Sequence, residues 1–241
     1  MTHSTATQPN NYSFVVENYN RICYNINNIK AKYRNASDNI EIMAVTKTVE
    51  PEIINTAIAC GINLLGENRV QEFMSKKDEY NKNAKVHFIG ALQTNKVKYI
   101  INEVSNIQSV DSFKLAQEID KQALKNNIVM DILLEINIGN EQSKSGINKD
   151  DLEQLVYSLS ELNNINVKGL MSIPPISADE HLYDSMNSLF NEYKGKNIKN
   201  LNMEILSMGM SNDYEIAIKH GSNLVRIGTG LFGARKYIGG M

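Results

Sequence analysis

EIMAVTK (41–47), PEIINTAIAC (51–60) and NLLGE (63–67) form the stretch that decides the fold. The outer two are strand-length runs of apolar residues. The middle one has helical spacing, with Pro51 in its first turn and Gly61 where a left-handed C-terminal cap is expected. No G-x-G-x-x-G turn follows the first strand, which argues against a doubly wound dinucleotide-binding sheet. The alternation then continues through KVHFIG (85–90), NIQSV (106–110), MDILLEIN (130–137), VKGLMSI (167–173), MEILSM (203–208) and NLVRIG (223–228), which makes eight strand candidates. Helix-like segments lie between them at 68–80, 94–103, 112–126, 149–162, 179–194 and 212–220, with a short closing segment after 230. A leading amphipathic helix is predicted over 13–34, where Val15, Tyr19, Ile22, Ile26 and Ile29 recur at helical spacing. Strands and helices alternating at this length pair in parallel through right-handed crossovers, and eight such units in about 200 residues suit a closed barrel. The expected fold is therefore α/β, a single (β/α)8 TIM barrel with an extra N-terminal helix. Residues 1–12 are read as a flexible N-terminal extension and 13–241 as one domain.

The bulk composition narrows the function. A chain of 241 residues that is 42% hydrophobic can build a full core. Its formal charge of −2, with 25 basic and 27 acidic residues interspersed, gives no basic face for a phosphate backbone, so nucleic acid is not an expected partner. No run approaches the ~20 apolar residues of a membrane span, and MTHSTATQPNNY at the start has no apolar signal core. A cytoplasmic protein is expected. Cys23 and Cys60 form no C-x-x-C pattern and are read as two reduced, structural thiols. The four histidines, His3, His87, His181 and His220, show no H-x-H or H-E-x-x-H spacing, so no metal is expected. Neither a G-x-S-x-G elbow nor a Walker loop occurs.

In such barrels the chemistry sits at the C-terminal ends of the strands, with phosphate sites after strands seven and eight. Lys47 is read as the last residue of the first strand, projecting toward the mouth on the face shared by Met43 and Val45. Apolar surroundings would favour its free amine and so Schiff-base chemistry, whereas a snorkelling or salt-bridged lysine is the bland alternative. LSMGMSNDYE (206–215) ends the seventh strand, with Ser211 and Asn212 at capping positions. VRIGTGLFG (225–233) follows the eighth, where Gly228 and Gly230 permit close backbone approach and Thr229 adds a hydroxyl. Together they describe a phosphate site opposite Lys47. Arg226 shares the face of Gly228 and would be a buried cation, for which Glu67, Glu135 or a ligand heteroatom could be the partner.

These residues bring a family into view. AVTKT (44–48), GENRVQE (66–72), HFIGALQTNK (87–96), NEQSKSGI (140–147), GLMSIPP (169–175), LSMGMSNDYEIAI (206–218) and VRIGTGLFGAR (225–235) resemble the pyridoxal phosphate homeostasis proteins, single barrels related to the N-terminal domain of bacterial alanine racemase. The resemblance runs almost end to end. Ala91, the N-terminal extension and the closing IGGM depart from the pattern, and they concern surface details only.

The resemblance implies the pyridoxal-phosphate (PLP) fold type III, with PLP held covalently on Lys47 as a Schiff base. It puts Arg226 at the pyridine nitrogen, Ser211, Gly228 and Thr229 at the phosphate, and Asn68 near the ring. Lys144 would take part in secondary handling of the cofactor, or be an ordinary exposed loop lysine. Because a protonated guanidinium does not favour a protonated pyridine nitrogen, the electron sink is weak. The related racemases also draw a tyrosine from a second domain, for which no counterpart is expected here. The expected function is therefore PLP binding, buffering and delivery to PLP-dependent apoenzymes by a monomer, in vitamin B6 and amino-acid homeostasis. A weak racemase-like enzyme using the same Lys47 is the alternative, and a cofactor-free Schiff-base aldolase is a second.

Overall fold

Eight parallel strands close into a barrel in the order of the chain. The structure, a computed structural model, describes residues 12–141, 145–175 and 178–234. The strands are β1 (Glu41–Val45), β2 (Leu64–Glu67), β3 (Lys85–Phe88), β4 (Asn106–Val110), β5 (Met130–Ile136), β6 (Ile165–Ser172), β7 (Leu201–Met210) and β8 (Leu224–Ile227). The helices are α1 (Ser13–Tyr33), α2 (Pro51–Ala59), α3 (Val70–Lys76), α4 (Val97–Ile100), α5 (Phe113–Lys125), α6 (Leu152–Leu159), α7 (Glu180–Lys194), α8 (Tyr214–Lys219) and α9 (Thr229–Phe232). Closure is fixed by Met43, which stands opposite Leu64 of β2 on one side and Arg226 of β8 on the other.

Period-two alternation separates the two faces of the barrel wall. Ala44, Leu65, Phe88, Ile107, Leu170 and Val225 join the core shared with the helices, whereas Met43, Leu64 and Leu224 form a separate cluster with Ile89 and Ile205 inside the barrel. The outer helices are amphipathic for the same purpose. On α1, Val15, Ile22 and Ile26 are buried on one face, which packs against α2, α8 and α9. Asn18 Nδ2 donates to Leu231 O at 2.9 Å, and Arg34 Nη1 donates to Ile218 O and Ser222 O at 3.2 and 3.1 Å, tying α1 to the closing segments. Ser112 caps α5 by accepting from Leu115 N–H, and Asp179 caps α7 by accepting from His181 N–H.

The predicted elements fall within a few residues of those observed, and two details differ. β1 ends at Val45, so Lys47 lies two residues past the ladder rather than at its end. Thr46 N–H still donates to Gly66 O at 3.1 Å, but Thr48 has φ +60° and turns the chain away. The segments predicted at 68–80, 94–103 and 149–162 each include a tight 3-10 turn, at Lys77–Glu79, Thr94–Lys96 and Lys149–Asp151. The extension 1–12 falls outside the described residues except for Tyr12, which packs partly buried against the core.

Gly61 ends α2 with φ +114°, and a Cβ there would come within 3.1 Å of Tyr19 Oη. Gly61→Ala should therefore cost about 1–2 kcal/mol of stability, as for a side chain forced into the left-handed region. Urea unfolding of the two proteins measures it, and equal midpoints would mean that the turn relaxes to negative φ.

Candidate functional site

The AVTKT turn is held from both sides, and this determines where Lys47 points. Thr46 faces outward and is fully buried. Its Oγ1 donates to Glu67 Oε1 at 2.6 Å, and Tyr80 Oη donates to the same oxygen at 2.5 Å. Lys76 Nζ donates to the Thr46 carbonyl at 2.8 Å and to Glu72 Oε1 at 2.8 Å, and lies 3.6 Å from Glu67. Thr48 N–H donates to Glu72 Oε1 at 2.5 Å. Burial and the neighbouring Glu67 carboxylate hold the Tyr80 phenol well above its ordinary range, so it stays a donor. With both neighbours bonded outward, Lys47 is left facing the mouth. It lines a cavity of ≈ 530 Å³ with Val45, Thr48, Val49, Gly228 and Thr229, closed on the apolar side by Phe14, Ile53 and Phe232.

Glu67 is accordingly not the partner of Arg226 that its sequence position allowed. It registers with Phe88, whose side chain lies in the outer core, and it serves the Thr46 clamp instead. Glu72, Lys76 and Tyr80 were not foreseen as part of the site. Glu72 belongs to the GENRVQE motif, whereas Lys76 and Tyr80 lie beyond it and carry no motif of their own.

At the other end of the cavity, β7 and β8 bring Ser211, Gly228, Thr229 and Gly230 together. Ser211 Oγ accepts from Gly230 N–H at 3.0 Å, and the Gly228 carbonyl accepts from Leu231 and Phe232 N–H. The expected capping of the next helix by Ser211 and Asn212 is not what forms. α8 begins after Asp213, whose carboxylate accepts from Met210 N–H at 2.7 Å and from Tyr183 Oη at 2.7 Å. Asp213 thus occupies the start of α8 with a negative charge of its own, and the polar rim facing Lys47 is built from the β8 end of the barrel.

Arg226 lies beneath this rim, 3% exposed. Nη1 donates to Ser207 Oγ at 2.6 Å and Nη2 to Ser172 O at 2.7 Å. Burial lowers its pKa to about 10, with Asp213 and Glu135 acting in the opposite direction, so it remains a cation at neutral pH. Its bonded partners are neutral, and Glu135 acts on it only at longer range. His87 is buried and hydrogen-bonded to Gln108. Its pKa is lowered to about 4, chiefly by burial and then by Lys85, which leaves it neutral.

Asn68 does not line the cavity of Lys47. It lines a second cavity of ≈ 310 Å³ with Ile89, Glu135, Asn137 and Ile173, and its Oδ1 is buried without a hydrogen-bond partner. Gly90 makes this corner possible, because a Cβ there would fall 2.1 Å from the Asn68 carbonyl oxygen. Glu135 is buried in the same cavity and pushed up to about 7, by burial first and by Asp111 second, against Arg226. The structure thus gathers Lys47, Gly228 and Thr229 in one cavity with Ser211 and Arg226 adjoining, and sets Asn68 on the β2 side. Lys144 lies outside the described residues. Cys23 and Cys60 are unpaired, and no helix of the described residues is long and apolar enough to cross a membrane.

The fold and the site place the chain among closed (β/α)8 barrels that carry a lysine, a Ser, Gly and Thr rim and a buried arginine at the C-terminal ends of their strands. Residues 18–236 match the family described as "Alanine racemase, N-terminal domain". A pyridoxal phosphate homeostasis protein of Aquifex aeolicus is 44% identical over 206 residues, covering 82% of this chain and 88% of the relative. PipY of Synechococcus elongatus, solved with PLP bound, superposes with a TM-score of 0.78 at 28% identity, covering 91% of this chain and all of the other. Alanine racemase from Bartonella henselae shares the fold alone, with a TM-score of 0.70 at 14% identity over 92% of this chain and 59% of the other. The chain belongs to the pyridoxal phosphate homeostasis protein family.

Proposed function

We propose that this protein holds PLP in the barrel mouth, covalently through Lys47, and serves as a cytoplasmic, monomeric carrier that buffers the cofactor and hands it to PLP-dependent apoenzymes. The observation that carries this reading is the single cavity shared by Lys47, Gly228 and Thr229, with Ser211 bonded to Gly230 at its edge and Arg226 beneath. The residues fit the group. A primary amine meets an aldehyde, hydroxyls and backbone N–H groups meet a phosphate, and a guanidinium meets the heteroatoms of the ring. PLP itself supplies the reactive aldehyde and an electron-withdrawing ring. What the chain contributes is orientation and charge. The AVTKT clamp aims the Lys47 amine, and Arg226, still a cation at neutral pH, does not favour protonation of the pyridine nitrogen. That weakens carbanion chemistry and favours a carrier over a racemase-like enzyme.

Mixing the PLP-loaded protein with a PLP-dependent apoenzyme should restore the activity of the latter. Incubation with L-alanine in deuterated water should show negligible Cα–H exchange. Exchange within the usual enzymatic range of about 1–10³ s⁻¹ would make the protein a catalyst instead. Thr229→Ala should weaken PLP roughly tenfold while leaving unphosphorylated pyridoxal nearly unaffected, because a hydrogen bond to a charged group contributes about 1.5–3 kcal/mol. Titration by visible absorbance measures both, and equal weakening of the two ligands would remove Thr229 from the phosphate site.

A further inference from the structure

Beneath the mouth a chain of hydrogen bonds crosses the barrel from β8 to β3. Arg226 Nη1 donates to Ser207 Oγ at 2.6 Å, Ser207 Oγ donates to Gln108 Oε1 at 2.8 Å, and Gln108 Nε2 lies 2.8 Å from His87 Nδ1. All four side chains are buried, with Gln108 and Ser207 wholly so. The chemistry of the groups gives the chain one direction. A guanidinium only donates, so Ser207 accepts from it and has its own proton to place. Gln108 Oε1 takes that proton, and Gln108 Nε2, which can only donate, then requires His87 Nδ1 to be an unprotonated acceptor. The neutral imidazole with its proton on Nε2 completes the series, and burial keeps His87 in that neutral form. Bonds aligned in one direction reinforce one another in a low-dielectric interior, so each link constrains the next. Two of the five Arg226 N–H groups are committed, to Ser207 and to the Ser172 carbonyl, both neutral acceptors. The guanidinium is therefore oriented by neutral contacts, with Asp213 and Glu135 acting on its charge only from beyond hydrogen-bond distance.

We propose that Gln108, Ser207 and His87 are positioning residues for cofactor recognition, which aim the free edge of the Arg226 guanidinium at the pyridine nitrogen of PLP. This rests on the PLP reading above and adds to it three residues from β3, β4 and β7 whose side chains line none of the mouth cavities described. The contribution belongs to the ring nitrogen specifically, because the chain acts only through Arg226.

The test compares PLP with 1-deazapyridoxal 5′-phosphate, which keeps the aldehyde and phosphate but lacks the ring nitrogen, titrated against purified PLP-free protein by visible absorbance. The unmodified protein should prefer PLP by about tenfold, equivalent to one hydrogen bond of ordinary strength. Gln108→Leu and Ser207→Ala should lose that preference, binding PLP about tenfold more weakly and the deaza compound within about twofold of the unmodified protein. Ser207→Thr retains the hydroxyl and should restore the preference, which guards against a mere folding defect. Equal weakening of both ligands in the folded variants, or no change in either, overturns the proposal. So does an unmodified protein that binds the two compounds equally while forming its visible band. Absence of any band with PLP in the unmodified protein refutes the cofactor reading itself, an outcome that cannot be confused with the other three.

Discussion

Borohydride reduction of the PLP-loaded protein should leave a pyridoxyl group on the peptide that contains Lys47, and Lys47→Ala should abolish the adduct entirely. The expectation rests on how the surrounding lysines are employed. Lys76 is the nearest competitor along this part of the barrel, yet its ammonium donates to the Thr46 carbonyl and to Glu72, on the outer side of the turn. Those bonds hold the Lys76 amine on the side of the turn away from the cavity that Lys47 lines. Lys96 lies over the Tyr99 ring at 5.7 Å, away from both cavities that border the mouth. Among the described lysines, Lys47 is the one that lines the cavity containing Gly228 and Thr229. Mass spectrometry of the reduced digest decides the matter, since a label found mainly on Lys96 or Lys144 sinks the assignment. In Lys47→Ala the visible band should vanish while weak, reversible PLP binding persists through the phosphate rim, because Thr229 and Ser211 are untouched.

How much of this was legible in the sequence depended on whether the signal was local. The eight strands announced themselves through short apolar runs bounded by helical spacing, and Lys47 could be placed at the mouth because strand parity carries Met43, Val45 and Lys47 along one face. Position within a barrel did the rest, since Ser211, Gly228 and Thr229 follow the last two strands. What could not be read was any relation created by closure. Gln108 and Ser207 are 99 residues apart and meet only because β4 and β7 face one another across the lumen. Glu67 looked like a partner for Arg226, but whether a strand's last residue faces inward depends on register with β3, and its pairing with Phe88 turns it out. Asp213 displaced Ser211 and Asn212 as the residue before α8, because Tyr183 of α7 lends its carboxylate a second donor. The hydroxyl and ammonium groups of Tyr80 and Lys76 reach the AVTKT turn through the packing of the α3 segment on β1 and β2, which no linear pattern specifies.

Glu135→Gln should stabilise the PLP-free protein at pH 8 by about 3 kcal/mol and have little effect at pH 4.5. In the folded protein the Glu135 carboxyl is pushed from its ordinary 4.5 up to about 7, by burial first and then by Asp111, with Arg226 opposing. Its acid form is thus favoured in the native state relative to the unfolded chain. Between those two values the folded protein binds more protons than the unfolded one, so stability falls as pH rises through this window and levels off above it. A difference of about 2.5 units at ~1.4 kcal/mol each gives the stated order of magnitude. Glutamine keeps the shape and removes the ionisation, so the variant should lack this slope. Urea unfolding at pH 4.5, 6 and 8 measures it, and a gain of equal size at all three values would show that packing, not buried charge, is the cause. A carboxyl group that lowers stability at neutral pH, facing a cavity beside an Asn68 oxygen with no partner, is the pattern left where a site is kept for a ligand at the expense of the fold. If that is its role, Glu135→Gln should also alter PLP affinity or release at pH 8. Unchanged affinity and release with increased stability would separate Glu135 from the cofactor site.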